Sequence, residues 1–195
     1  TIGAALPSGL MIKNVENITI NATTTGVAGA PGTAGALAVN ATTWTGVSKL
    51  SINNSDSGAT SSLNGKLSLT APTTTTSINA SAVGDVTVIG GAGTAAVTSA
   101  AAIKVGNTAA AAADANKFTA VTANGGTTVD ITDNSGTTAG ALGSTLTTVS
   151  LNGNTDAALI TANGLTTLNL NGLVTAAKTT TITAAAATRA LTINT

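Results

Sequence analysis

LTTVSLNG at positions 146–153 returns nineteen residues later as LTTLNLNG at 165–172, changed at two positions only. In each copy two apolar residues sit two apart, Val149 and Leu151 or Leu168 and Leu170, with a polar residue between them. That is the period-2 pattern of a half-buried β-strand. Each copy closes on Asn-Gly, a pair that tolerates the left-handed backbone of a sharp corner. A strand and a corner, repeated, predict a solenoid, in which coils stack on their neighbours, strands pair in parallel and interior positions form columns of like residues.

The same phrase extends in both directions. It reads NITIN at 17–21, KLSIN at 49–53, KLSLT at 66–70, DVTVI at 85–89, AIKVG at 102–106, TVDIT at 128–132 and ALTIN at 190–194, with weaker versions at 77–80, 119–123, 158–162 and 180–184. The spacings between successive phrases cluster near ten residues and near twice that value. The predicted fold class is therefore all-β, a parallel β-solenoid of short repeated strands. A β-sandwich is the competing reading, because short strands at such spacings, and Asn-Gly at Asn64, Asn124, Asn152, Asn163 and Asn171, also suit hairpins. One Trp, one Phe and no Tyr favour the narrow coil, since a sandwich core is usually filled with larger side chains. Two segments break the rhythm. The Gly/Ala-rich stretch 26–46 reads as an irregular loop, and 108–117 (TAAAAADANK) reads as one short helix capped by Thr108. The whole of 1–195 is expected to be a single solenoid segment: opening on Thr without a signal-peptide pattern suggests a mature or excised piece, and stopping inside a strand phrase suggests either a continuing larger chain or a partner that completes the sheet.

Composition narrows the function. Thr (41), Ala (39), Gly (22) and Asn (18) make up well over half of the 195 residues, while seven acidic and seven basic residues cancel. Scattered lysines and the single Arg189 cannot build the positive footprint that phosphates require, so nucleic acid is not an expected partner. No apolar run reaches the ~20 residues of a membrane span. Without His or Cys there is no imidazole base, thiolate or ordinary zinc site, and the carboxylates Asp130 and Asp133 are left as the remaining acid–base pair. An enzyme is not expected. Zero Cys fits an extracellular protein that does without disulfides, and is also compatible with any compartment.

Calcium is the best-motivated ligand, because a hard cation wants several oxygens and the chain is rich in Asn, Asp and turn carbonyls. The candidates are Asn152, Asn154 and Asp156 in NGNTD; Asp130, Asp133 and Asn134 in DITDNSG; and Asn53, Asn54 and Asp56 in NNSDSG. None completes a known calcium loop, and Asx turns at corners explain the same residues. Five glycosylation sequons, at Asn17, Asn21, Asn40, Asn53 and Asn79, are the number that 18 Asn among 55 Ser and Thr give by chance. Thr-x-Thr pairs such as Thr73/Thr75 and Thr145/Thr147 place hydroxyls on one strand face, which could order water, although β-branched Thr is also simply a good strand residue. Trp44 and Phe118 are expected to pack over coil edges.

The composition and the phrases LTTVSLNGN, LTTLNLNG and RALTINT resemble the surface-layer proteins of Gram-negative bacteria and related large type I-secreted adhesins. That resemblance implies β-solenoid domains, export without cleavage of an N-terminal signal, calcium-dependent assembly and self-association into a lattice on the outer membrane. It also implies a cell-surface polysaccharide as a partner through another region. The nonapeptide calcium repeat is missing here. The expected role is a structural, extracellular, cell-surface protein that assembles with copies of itself; an adhesin stalk or filament subunit and an ice-binding solenoid are the alternatives.

Overall fold

The computed structural model describes residues 6, 9–24, 36–56, 65–106, 116–133, 135, 143–172, 179–184 and 190–195. Among the described residues fifteen strands follow in chain order: β1 (Asn17–Thr24), β2 (Ala36–Asn40), β3 (Lys49–Asp56), β4 (Lys66–Ala71), β5 (Ser77–Ala82), β6 (Val86–Gly90), β7 (Ala92–Ser99), β8 (Ile103–Val105), β9 (Lys117–Gly125), β10 (Val129–Thr132), β11 (Thr148–Asn152), β12 (Ala158–Thr161), β13 (Thr167–Asn171), β14 (Thr180–Thr183) and β15 (Thr192–Asn194). Among the described residues there is no helix.

Odd-numbered strands form one eight-stranded sheet in the order β1-β3-β5-β7-β9-β11-β13-β15, and even-numbered strands form a seven-stranded sheet from β2 to β14. Every pairing is parallel. The chain thus crosses from one sheet to the other and back, two strands to a coil. This is the parallel β-solenoid that the repeat predicted, and it excludes the hairpin array. The ten-residue rhythm is half a coil and its double is a whole one. The two LTT phrases lie one coil apart and stack directly, Val149 on Leu168 and Leu151 on Leu170.

Burial follows the alternation. The inward columns run Leu50, Ile78, Ala95, Val121, Val149 and Leu168 in the larger sheet, and Leu67, Val86, Ile103, Val129 and Ala158 in the smaller. All of these are buried in one apolar cluster contributed by both sheets. Removing an aliphatic side chain of this size from water stabilises by about 1.5–3 kcal/mol, so a chain with two aromatic residues can still build a continuous core. Phe118 needs special provision. It packs inward 1 % exposed, opposite Gly91, whose missing side chain leaves room for the ring, and a bulge between Gly93 and Thr94 absorbs the extra residue Thr119. Trp44 is also buried, with its indole N–H donating to the Leu10 carbonyl at 2.9 Å.

The corners explain the excess of Thr. In each LTT phrase the Leu (Leu146, Leu165) points into the core, and the Thr after it reaches back one coil. Thr147 Oγ1 donates to the Thr119 carbonyl at 3.1 Å, and Thr166 Oγ1 to the Thr147 carbonyl at 3.2 Å. Thr76 does the same to Ser48, and Ser48 to Glu16. A staircase of hydroxyl bonds thus runs along the axis beside the backbone ladder.

Two expectations need correction. Within 26–46, Ala36–Asn40 is strand β2, with Leu37 and Val39 buried; its alternation is regular, but Ala occupies the flanking positions and masks it. Ala92–Ser99 is strand β7, missed because Val97 is its only large apolar residue. Residues 26–35, like 108–115 of the expected helix, lie outside the described residues; Lys117, at the end of that helix, instead opens β9.

Candidate interaction surface

The alternation that fills the core also sorts the outward side chains, and the two sheets differ in what they show. On the eight-stranded sheet the outward positions are Asn17, Thr19 and Asn21 on β1; Lys49, Ser51 and Asn53 on β3; Ser77, Asn79 and Ser81 on β5; and Thr94, Ala96 and Thr98 on β7. They continue as Ala120, Thr122 and Asn124; Thr148, Ser150 and Asn152; Thr167, Asn169 and Asn171; and Thr192 and Asn194. Lys49, together with Lys117 at the start of β9, supplies the charge on this face. With neighbouring strands about 4.8 Å apart, seven spacings make a face about 34 Å long.

Many of these amides and hydroxyls are bonded to each other along the axis. Asn171 Nδ2 donates to Asn152 Oδ1 at 2.9 Å, Asn152 Nδ2 to Asn124 Oδ1 at 2.8 Å, and Asn124 Nδ2 to Thr98 Oγ1 at 3.3 Å. In the next column Asn194 Nδ2 donates to Asn169 Oδ1 at 2.6 Å and Asn169 Nδ2 to Ser150 Oγ at 2.9 Å. Each bond runs from the later coil to the earlier. The ladders fix amide orientation and leave further donors and acceptors pointing outward, since an amide has two N–H groups and two carbonyl lone pairs. The seven-stranded sheet is different: its wall carries the ion pairs Lys66–Asp85 at 2.7 Å and Lys104–Asp130 at 3.9 Å, and exposed Leu159. Burial pushes the Asp85 carboxyl up, but the Lys66 bond, the Ala102 N–H and the Lys66 charge outweigh it and hold the group below its ordinary value.

Among the described residues the calcium candidates diverge. Asp130 points outward toward Lys104, whereas Asp133, three residues on, is fully buried. Asp133 accepts from the Ser135 N–H and the Leu146 N–H, both at 3.0 Å, so its carboxylate ties down the two ends of the excursion between β10 and β11. Asn152 belongs to the outward ladder, while buried Asn154 donates to the Gly126 carbonyl at 3.1 Å, and Asp156 sits half-buried in the turn beyond. In the third set Asn53 is outward and exposed, but Asn54 is buried and donates to the Lys66 carbonyl at 2.8 Å. The Asp56 side chain and Asn134 lie outside the described residues. Among the described residues no three His, Cys, Asp or Glu side chains cluster as a metal site, and there is no helix long and apolar enough to cross a membrane.

Four of the five sequon asparagines, Asn17, Asn21, Asn53 and Asn79, share the outward face. Alternation explains this: a strand that shows Asn at one outward position and Ser or Thr at the next writes a sequon. The corner groove of about 440 Å³ beside Thr42, Thr45, Thr73 and Thr74 has Trp44 in its lining, but at 2 % exposure the ring offers no stacking platform. The amide ladders were legible only in part. Asn124, Asn152 and Asn171 each precede Gly, and their separations equal the coil offsets, a signal that becomes readable once the register is known. Comparison with protein-family models, with curated proteins and with solved structures finds no match for this chain.

Proposed function

We propose that this chain is a non-enzymatic structural element of an extracellular surface layer, a β-solenoid that packs side by side with copies of itself through the outer face of its eight-stranded sheet. The observation that carries this reading is the chemistry of that face: amides and hydroxyls held in axial ladders, with two lysines, Lys49 and Lys117. A zero net charge leaves little long-range repulsion to keep copies apart. Rigid, pre-oriented polar groups also lose less entropy on docking than free side chains do. Calcium enters as an organiser of the layer rather than through a described cluster of carboxylates.

Electron microscopy of the purified chain, with and without calcium, tests the proposal. Two-dimensional sheets are expected, and they should disappear in a variant carrying Thr122→Lys and Ser150→Lys, which places like charges on the face. Persistent monomers under all conditions would overturn the reading. Fibres without sheets would favour a stalk or filament subunit instead, and thermal hysteresis would favour ice binding.

A further inference from the structure

A face that packs on an identical face does so across a two-fold axis, and a two-fold contact closes after two copies. Growth beyond a pair needs a second surface. The outer face of the seven-stranded sheet, on the other side of the shared core, offers one.

Register sets the outward residues of this wall in columns along the solenoid axis. The middle column runs Ser68, Thr87, Lys104, Asp130, Leu159 and Thr181, on β4, β6, β8, β10, β12 and β14. Lys104 and Asp130 are neighbours at its centre. Their side chains are 50 % and 42 % exposed and their charged atoms stand 3.9 Å apart, a loose pair that leaves each group open to a further partner. The other ion pair of the wall is tighter: Lys66 meets Asp85 at 2.7 Å, and Asp85 also accepts from the Ala102 N–H at 3.2 Å. Beside Asp130 in the column, Leu159 is 41 % exposed, a large apolar side chain on a wall of Ser, Thr and charge.

This column is complementary to itself when reversed. A two-fold axis along the strands, midway between β8 and β10, lays Lys104 over Asp130 of a second copy, Asp130 over its Lys104, and Leu159 over its Thr87. A two-fold axis along the solenoid would instead lay Lys104 on Lys104 and Asp130 on Asp130. Charge therefore selects copies whose solenoid axes are opposed.

We propose that the seven-stranded wall is a second two-fold contact between copies, closed by Lys104 and Asp130 exchanged across the axis; this rests on the face-to-face packing proposed above and supplies the contact that turns a pair into a row. The contact is small. Six strands about 4.8 Å apart and three outward columns about 7 Å apart span roughly 24 Å by 14 Å, or about 340 Å² per copy, below the ~800 Å² per partner of stable interfaces. Association should therefore be weak, grow with concentration and weaken with salt.

Sedimentation velocity across a concentration series tests this in the 195-residue chain carrying Thr122→Lys and Ser150→Lys, which blocks the eight-stranded face and leaves the wall unchanged. Circular dichroism verifies folding, which exposed positions such as Lys104 and Asp130 should not disturb. The face-blocked chain should dimerise and stop at two copies. Adding Lys104→Asp sets four acidic groups across the two-fold axis, and adding Asp130→Lys sets four basic ones. Each of these proteins alone should stay monomeric at about ten times the concentration at which the face-blocked chain dimerises. An equimolar mixture of the two should dimerise again, because every acidic group then meets a basic one; an ion pair confined within one chain predicts no such rescue. Both changes on one chain restore a complementary wall and should also restore the dimer, which keeps the test decisive if one single change disturbs folding.

A face-blocked chain that stays monomeric, a charge variant that dimerises alone, or a monomeric mixture would overturn the proposal. So would oligomers beyond two from the face-blocked chain, since a two-fold contact closes. Failure of the face-to-face reading looks different: the chain without Thr122→Lys and Ser150→Lys would then go no further than the dimer made through the wall.

Discussion

Substituting Gly90 and Gly153 by Ala separates two costs that glycine corners usually combine. Both glycines have positive φ, +76° and +67°, a region where a side chain costs about 1–2 kcal/mol. They differ in what a Cβ would meet. At Gly153 nothing lies within 4 Å; at Gly90 the Cβ would stand 2.2 Å from the carbonyl oxygen of Ala71, the residue paired with it one coil earlier. Moving that contact from 2.2 Å to the 3.0 Å lower limit of real Cβ contacts takes about 0.8 Å, a sixth of the ~4.8 Å between strands. A ladder bond near 2.9 Å stretched by that amount is broken, and losing one or two such bonds costs about 1 kcal/mol each. Gly153→Ala should therefore cost about 1–2 kcal/mol and Gly90→Ala about 2–4 kcal/mol. Urea titration followed by far-ultraviolet circular dichroism measures both. Fluorescence of Trp44, the single Trp, reports separately whether the N-terminal coils unfold with the rest, since a solenoid need not unfold as one unit. If the two variants agree within about 0.5 kcal/mol, coil spacing does not set the cost and the reasoning fails.

Other residues give sharper local tests. Asp133→Ala strands the N–H groups of Ser135 and Leu146 in a buried site and should cost about 3 kcal/mol, whereas Asp133→Asn keeps an acceptor and should cost markedly less; equal losses by urea titration would show that the carboxylate does not clasp the excursion. Because the Asp85 carboxyl is held below its ordinary value in the folded state, the stability it adds is present above the unfolded value of 3.8 and is lost as pH falls through the lower folded one. Asp85→Asn should flatten that acid limb and leave the curve near neutrality unchanged in shape, as thermal melts from pH 2 to 7 can check. Asn152→Ala removes two ladder bonds at a position water can reach, so it should cost only about 1 kcal/mol while speeding amide exchange in β13 more than in β5; uniform exchange rates would deny the ladder any local role.

The architecture was readable because coil stacking repeats one local rule. Val149 and Leu151 alternate with polar neighbours for the same reason that Leu168 and Leu170 do, and a strand with one buried face must show that alternation. Where Ala replaces the large residue, as in β7, or flanks it, as in β2, the contrast fades and the strand disappears from the sequence. The described members of the calcium sets are dispersed for a related reason. Close spacing in the chain suggested convergence, but residues such as Asn53 and Asn54 are sent to opposite sides of the sheet, and Asp133 turns inward at the strand end while Asp130 turns outward.

The sequence by itself determined the strands with large alternating residues, the parallel stacking of like phrases and the absence of the side chains that most catalysis uses, because these depend on local alternation and on composition. Only the tertiary structure decided that two strands make a coil, that Asn124, Asn152 and Asn171 form one bonded column, and that Lys104 and Asp130 stand together on the opposite wall. Those features depend on register between residues 17 to 32 positions apart. Coils of unequal length hide that register in the chain, and it emerges only when the backbone ladders and the shared core bring the coils together.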